Sequence, residues 1–163
     1  MSPLSRAIAL LVLVVAGGGV AGGGPAGAGA TLDKKSPTLE AAQKIAAASI
    51  AEARKRGVGV VVVVVDDAGI PILLHRMNEA QVASVQVGIG KARTAAIYRR
   101  SSRVFEEQIR NGRIAALALA DATPLQGGVP IVLEGKVIGA VGVSGDSPQV
   151  DEEIALVGVA AFP

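Results

Sequence analysis

Apolar and small residues recur at Leu39, Ala42, Ile45, Ala46, Ser49, Ile50 and Ala53, the spacing of one buried helix face. Thr38 stands where an N-cap belongs, with Glu40 in the first turn, and Arg54-Lys55-Arg56-Gly57 supplies cations and a glycine at the other end. The pattern then changes. Six consecutive valines, Val60 to Val65, have no polar alternation and predict a strand covered on both faces. Asp66-Asp67-Ala68-Gly69 makes a turn, and Ile70 to Met77 returns as the second strand of a hairpin, with Pro71 suited to a sheet edge. Helical spacing resumes from Gln81 to Tyr98, with Val82, Val85, Ile89, Ala92 and Ala96 on one side and Lys91, Thr94, Ala95 and Tyr98 on another. Ser101 or Ser102 caps a shorter helix to about Ile109, closed by Asn111-Gly112. Ile114 to Leu119 fits a strand or a helix. Val129 to Leu133 and Val137 to Ser144 flank the turn Glu134-Gly135-Lys136 as a second hairpin, and Ser147-Pro148 opens a last helix to about Ala160. Hairpins with helices between them predict the α+β class, an antiparallel sheet with helices packed on it in the order α-β-β-α-α-β-β-β-α, the ambiguous segment counted as a strand.

The first thirty residues read differently. Arg6 precedes the apolar run Ile8 to Val15, and a Gly/Ala/Pro-rich passage ends in Ala28-Gly29-Ala30, the layout of a secretory signal peptide. Cleavage is expected after Ala30, with Ala28 as the alternative. The expected organisation is a signal peptide over 1–30, a lead-in segment over 31–37 and one domain over 38–163, located outside the cell or in a periplasm. The apolar run is shorter than the ~20 residues a membrane-spanning helix needs, so no stable membrane anchor is expected.

Composition narrows the chemistry. The chain has 163 residues, no Cys and one His, which excludes disulfides, thiolate metal sites, cysteine nucleophiles and multi-histidine centres. Beyond residue 30 the basic and acidic side chains number 15 and 14, and Tyr98, Phe105 and Phe162 are the aromatic residues, a poor footprint for nucleic acid. Without disulfides, stability must come from core burial, oligomerisation or both.

Specific residues then accumulate: the hairpin over 60–77 with Arg76-Met77, the stretch Lys91-Ala92-Arg93-Thr94-Ala95, Gly127-Gly128-Val129-Pro130, Gly139 to Gly145, and Asp151-Glu152-Glu153-Ile154-Ala155. In order and spacing, from about Leu39 to Ala160, these resemble the GlcG/HbpS family, also called the haem-degrading or PduO C-terminal-like domain. The resemblance implies a profilin-like antiparallel sheet of about five strands with flanking helices, assembly into homo-oligomers, haem or a small carboxylated ligand as the bound molecule, and for exported members a sensor partner or iron. Two positions depart from the family pattern: Asn78-Glu79-Ala80 follows Arg76-Met77 where Asp-Gly-Ala is usual, and Val150 replaces a Gln.

The candidate site residues follow. His75 is the one imidazole that could serve as an axial haem ligand, and it shares a strand face with Leu73 and Met77, against the favoured reading of a surface or hydrogen-bonded strand histidine. Lys91, Thr94 and Tyr98 fall at i, i+3 and i+7, so one helix face presents an ammonium, a hydroxyl and a phenol; Lys91 is suited to a ligand carboxylate with Thr94 beside it, and equally to pairing with an acid of the chain while Thr94 bonds a backbone carbonyl. Arg76 is a further ligand-binding candidate, and Gly127-Gly128 can bring backbone N–H groups close to an anion, against the favoured reading of a tight entry into a strand. Asp151 and Glu152 offer hard oxygen ligands for peripheral iron, against a solvated role compensating a helix dipole. The favoured function is a secreted module that binds haem or a similar planar carboxylated ligand at an oligomer groove lined by the Lys91/Thr94 helix face; the alternatives are a small enzyme, degrading haem or acting on an organic acid with Lys91 or Asp66 as acid/base, and an oligomeric scaffold.

Overall fold

In a computed structural model, Gly29 and residues 31–163 are described. The expected signal peptide over 1–30 lies outside the described residues, Gly29 apart. Contacts divide the chain into Met1–Asp33 and a compact unit, Lys34–Pro163, which holds every residue of the core discussed below.

The valine run is the centre of the molecule. Strand β1, Val61–Asp66, pairs antiparallel with β2, Pro71–Arg76, on one side and with β4, Lys136–Ser144, on the other; β3, Gly128–Leu133, completes the order β2-β1-β4-β3. Period-2 alternation sends Val60, Val62 and Val64 to one face, against Ile45, Ile50 and Ile154, and Val61, Val63 and Val65 to the other, against Ala92, Ala95 and Ala96. Double coverage explains why no polar residue interrupts the run. Both prolines of the sheet, Pro71 and Pro130, fall on its edge strands, where a missing N–H costs nothing in the ladder.

Helices α1, Leu39–Arg56, and α4, Pro148–Ala160, lie together on the first face, with the Ser49 hydroxyl donating to the Ile154 carbonyl at 3.2 Å. Two predicted caps are present: Thr38 Oγ1 accepts the Ala41 N–H at 3.2 Å, and Ser147 Oγ accepts that of Val150 at 3.4 Å with Pro148 in the first turn; Ser102 precedes the third helix but makes no capping bond, its hydroxyl being taken by Leu125 and Gly128. Helix α2, Ser84–Ile97, covers the second face and starts three residues later than its apolar spacing suggests, because Ala83 offers no capping side chain and Val82 points to solvent. Helix α3, Arg103–Arg110, follows.

The sheet has four strands, not about five. Ile114–Ala118 is a 3-10 helix held by N–H bonds from Ala116 to Arg113 and from Leu119 to Ala116. Beyond Ile114 it is Ala and Leu, residues of high helix propensity, without the run of β-branched side chains that makes β1, and within it only Ala116 is buried.

Candidate functional site

The polar row on α2 turns inward. Lys91 is 3% exposed; its ammonium donates to Asp151 Oδ2 at 2.7 Å and to the Val143 carbonyl at 3.0 Å. Asp151 Oδ1 accepts the Asp146 N–H at 3.0 Å. Burial pushes the Asp151 carboxyl above its usual value, against the opposing pull of the Lys91 hydrogen bond and charge and of the Asp146 and Gly145 backbone. Gly127, with φ at 124°, lies over this pair: a Cβ there would stand 2.8 Å from the Val143 oxygen and 2.9 Å from Lys91 Nζ. Gly128 presses on the Lys91 carbonyl, and its N–H is taken by Ser102 Oγ at 2.8 Å. The diglycine therefore fits a backbone onto a buried ion pair, with the Gly128 N–H turned to Ser102.

Thr94 is also committed. Its hydroxyl donates to the Gly90 carbonyl at 2.7 Å and accepts the Thr123 N–H at 2.7 Å, and the Tyr98 hydroxyl donates to the Ala120 carbonyl at 2.7 Å. This face of α2 lashes the loop over 119–128 to the sheet. The solvated reading of Asp151 and Glu152 is corrected, since both are buried. Glu152 accepts the Ser101 hydroxyl at 2.7 Å and the Gln126 amide at 2.6 Å. Among the described residues no group of three or more His, Asp or Glu is placed to hold a metal ion. Asp66, the other acid/base candidate, shapes the β1–β2 turn, its Oδ1 accepting the N–H groups of Ala68 and Ile70.

His75 sits elsewhere. It pairs across from Val62, and Leu73 across from Val64, so both side chains lie on the α1 face of the edge strand. Between β2 and α1 is an open cavity of about 240 Å³ lined by Gln43, Ala46, Ala47, Ile50, Arg54, Leu73 and His75. A second cavity of about 240 Å³ adjoins it at Arg54 and extends past Val58 and Met77 to Glu79. Arg54 makes no ion pair among the described residues. Arg76, next to His75, falls on the opposite face and is exposed. The sequence does not place Arg54 and Gln43 at this cavity, and Arg54 reads there as a helix-end cation. Their spacing with Ala46, Ala47 and Ile50 is nonetheless that of one helix face, beside the buried stripe.

The arrangement defines a class: an α+β domain whose four-stranded antiparallel sheet is sealed on one face by a helix with a buried lysine–aspartate pair and carries an open, mixed apolar and cationic groove at its edge on the other. The chain belongs to the HbpS-like family, whose sequence model, described as haem degrading protein HbpS-like, matches residues 38–160. It is similar to protein GlcG of Escherichia coli K12, with 43% identity over 103 residues, 63% of this chain and 77% of GlcG. Its fold is that of a double mutant of Streptomyces reticuli HbpS, at TM-score 0.78 and 28% identity over 88% of this chain and 99% of that one. It is also that of PduOC in complex with haem, at TM-score 0.71 and 24% identity over 78% and 95% of the two chains.

Proposed function

We propose that this protein is an exported haem-binding module whose ligand lies across the groove between α1 and β2. The observation that carries the reading is the juxtaposition of an exposed imidazole, His75, a guanidinium, Arg54, without an ion-pair partner among the described residues, and an apolar floor of Ala46, Ala47, Ile50 and Leu73. That donor set suits a flat macrocycle with acidic substituents: His75 would hold the iron, Arg54 a propionate, and the aliphatic side chains one porphyrin face. Bound haem would supply redox and oxygen-binding chemistry. The family description and the haem complex of PduOC support the same ligand class. A cavity of about 240 Å³ is smaller than the ~300–1,000 Å³ of an enclosed small-molecule pocket, so a second copy of the chain covers the outer face of the ligand in this reading.

The test is a Soret titration of residues 31–163. A saturable shift is expected for the wild type, lost in His75→Ala and weakened roughly tenfold in Arg54→Ala. No shift at stoichiometric protein, or a shift indifferent to both substitutions, overturns the site. Bleaching of the Soret band with reductant under air would reveal turnover in the same cuvette.

Export is part of the proposal. The intact mass of the protein recovered outside the cytoplasm is expected to correspond to a chain starting at Thr31, or at Gly29 for the alternative cleavage. Full-length protein confined to the cytoplasm overturns it.

A further inference from the structure

Residues 99–113 carry five arginines, Arg99, Arg100, Arg103, Arg110 and Arg113, against Glu106 and Glu107. All five are exposed. Among the described residues, Arg103 alone of them makes ion pairs, with Glu107 at 3.6 Å and Glu152 at 3.7 Å. Glu106 is drawn inward, accepting the Gln126 N–H at 2.6 Å. Four guanidiniums therefore stand without a carboxylate partner. The formal net charge of the whole chain is +2, so this surplus of three leaves the remainder net negative. An overall balance that suggests no electrostatic footprint conceals one strongly basic corner.

The same corner is apolar. A 3-10 helix has three residues per turn, which stacks Ile114 over Leu117 in one row, and these are 70% and 65% exposed while Ala116 turns inward. From Ile114 to Ala120 no side chain can hydrogen-bond. Several contacts join this row to the arginines. The Arg113 N–H donates to the Gln108 carbonyl at 2.8 Å, and the Tyr98 hydroxyl donates to Ala120. Phe105 meets Tyr98 edge-on at 5.1 Å and carries the Arg100 guanidinium 5.8 Å above its ring.

Charge decides the occupant. A two-fold contact with a second copy would set the same guanidiniums against each other. Nucleic acid would want exposed aromatic platforms, whereas Tyr98 is half-buried and Phe105 buried. An anionic bilayer satisfies both halves, with phosphates for the arginines and the acyl boundary for Ile114 and Leu117. We propose that the corner formed by α3 and the 3-10 helix docks this protein reversibly on an anionic lipid surface.

The experiment is co-sedimentation of residues 31–163 with vesicles of phosphatidylcholine alone and with about one third phosphatidylglycerol. The shorter chain is used because the apolar run at residues 8–15 would add an affinity of its own, and it contains the whole core unit. Binding to the anionic vesicles is expected to be roughly tenfold stronger than to neutral ones, and to disappear near 1 M salt, where the screening length is about 3 Å. Arg110→Glu/Arg113→Glu and Ile114→Ser/Leu117→Ser should each weaken it roughly tenfold, with far-UV circular dichroism unchanged. Equal sedimentation with both vesicle types, or binding indifferent to both double variants, overturns the proposal. So does absence of lipid binding with a lipid-free oligomer that Ile114→Ser/Leu117→Ser dissociates, which would assign the corner to a second copy. The salt series needs no variant, and none of the outcomes depends on haem.

Discussion

Lys91→Met is expected to cost the fold about 3–5 kcal/mol at pH 7, because it strands the buried Asp151 carboxylate without its counter-charge. Methionine matches the length of the lysine stem, so the loss comes from charge rather than from a void. The deficit has a defined pH dependence. Burial already holds the Asp151 carboxyl above the 3.8 of a free side chain, and removing Lys91 removes two of the influences that pull it down. Between the unfolded and the raised folded value, the native state keeps a proton that the unfolded state has lost. Stability therefore falls as pH rises through that window and recovers as pH is lowered. The variant should regain part of its deficit as pH is lowered from 7 toward the range of a free carboxyl, as read from denaturant midpoints along the series. A deficit that stays constant down to that range would show that Asp151 is not the group left uncompensated.

The companion change separates a structural role for Lys91 from a ligand-binding one. In Lys91→Met/Asp151→Asn no charge is left buried, and the asparagine oxygen still accepts the Asp146 N–H. The double variant should recover about 2 kcal/mol or more relative to the sum of the single changes. Its Soret titration should match the wild type, because the groove at His75 lies across the sheet from α2. A haem affinity that falls with Lys91 in folded protein would return the ligand to the α2 face.

Gly142→Ala is the second large effect, expected to cost about 3 kcal/mol or more by overpacking. A Cβ on Gly142 would press on the Gly88 carbonyl oxygen and stand 2.6 Å from the Ala92 backbone nitrogen and 2.8 Å from its Cβ. Those neighbours are backbone and a methyl group, which cannot rotate away, so α2 would have to lift off the sheet. Gly88→Ala, on the facing helix, is the control. There the nearest atom is a Val63 methyl at 3.3 Å, and the helix-interior gain from alanine offsets the crowding, so stability should stay within about 1 kcal/mol. A drop in the thermal midpoint for Gly142→Ala no larger than that for Gly88→Ala would mean that helix and strand have slack.

Much of this architecture was legible residue by residue. The caps at Thr38 and Ser147, the closing Gly57, both hairpins and the doubly covered valine strand depend on interactions within a few positions, and the amino-acid order states them directly. The family was legible as well, since its motifs span nearly the whole domain. Ile114–Ala118 was not: a short Ala/Leu run carries no period that separates strand from helix, and its outcome rests on what covers it.

The candidate residues divide along the same physical line. His75 stands out in the sequence because it is the sole imidazole, a fact of composition. Lys91, Thr94 and Tyr98 share a polar helix face that, read along the chain, suits a ligand and an internal acid equally. Asp151 lies sixty positions further on and meets Lys91 at 2.7 Å once α2 and α4 close over β4. Arg54 and His75 come from different elements and share a cavity because β2 is the edge strand beside α1. Helices, turns and caps are decided by neighbours in sequence, and these were set by the order of residues alone. Whether a charged side chain is buried, paired or free to meet a ligand depends on partners dozens of residues away, and that was decided when the sheet brought them together.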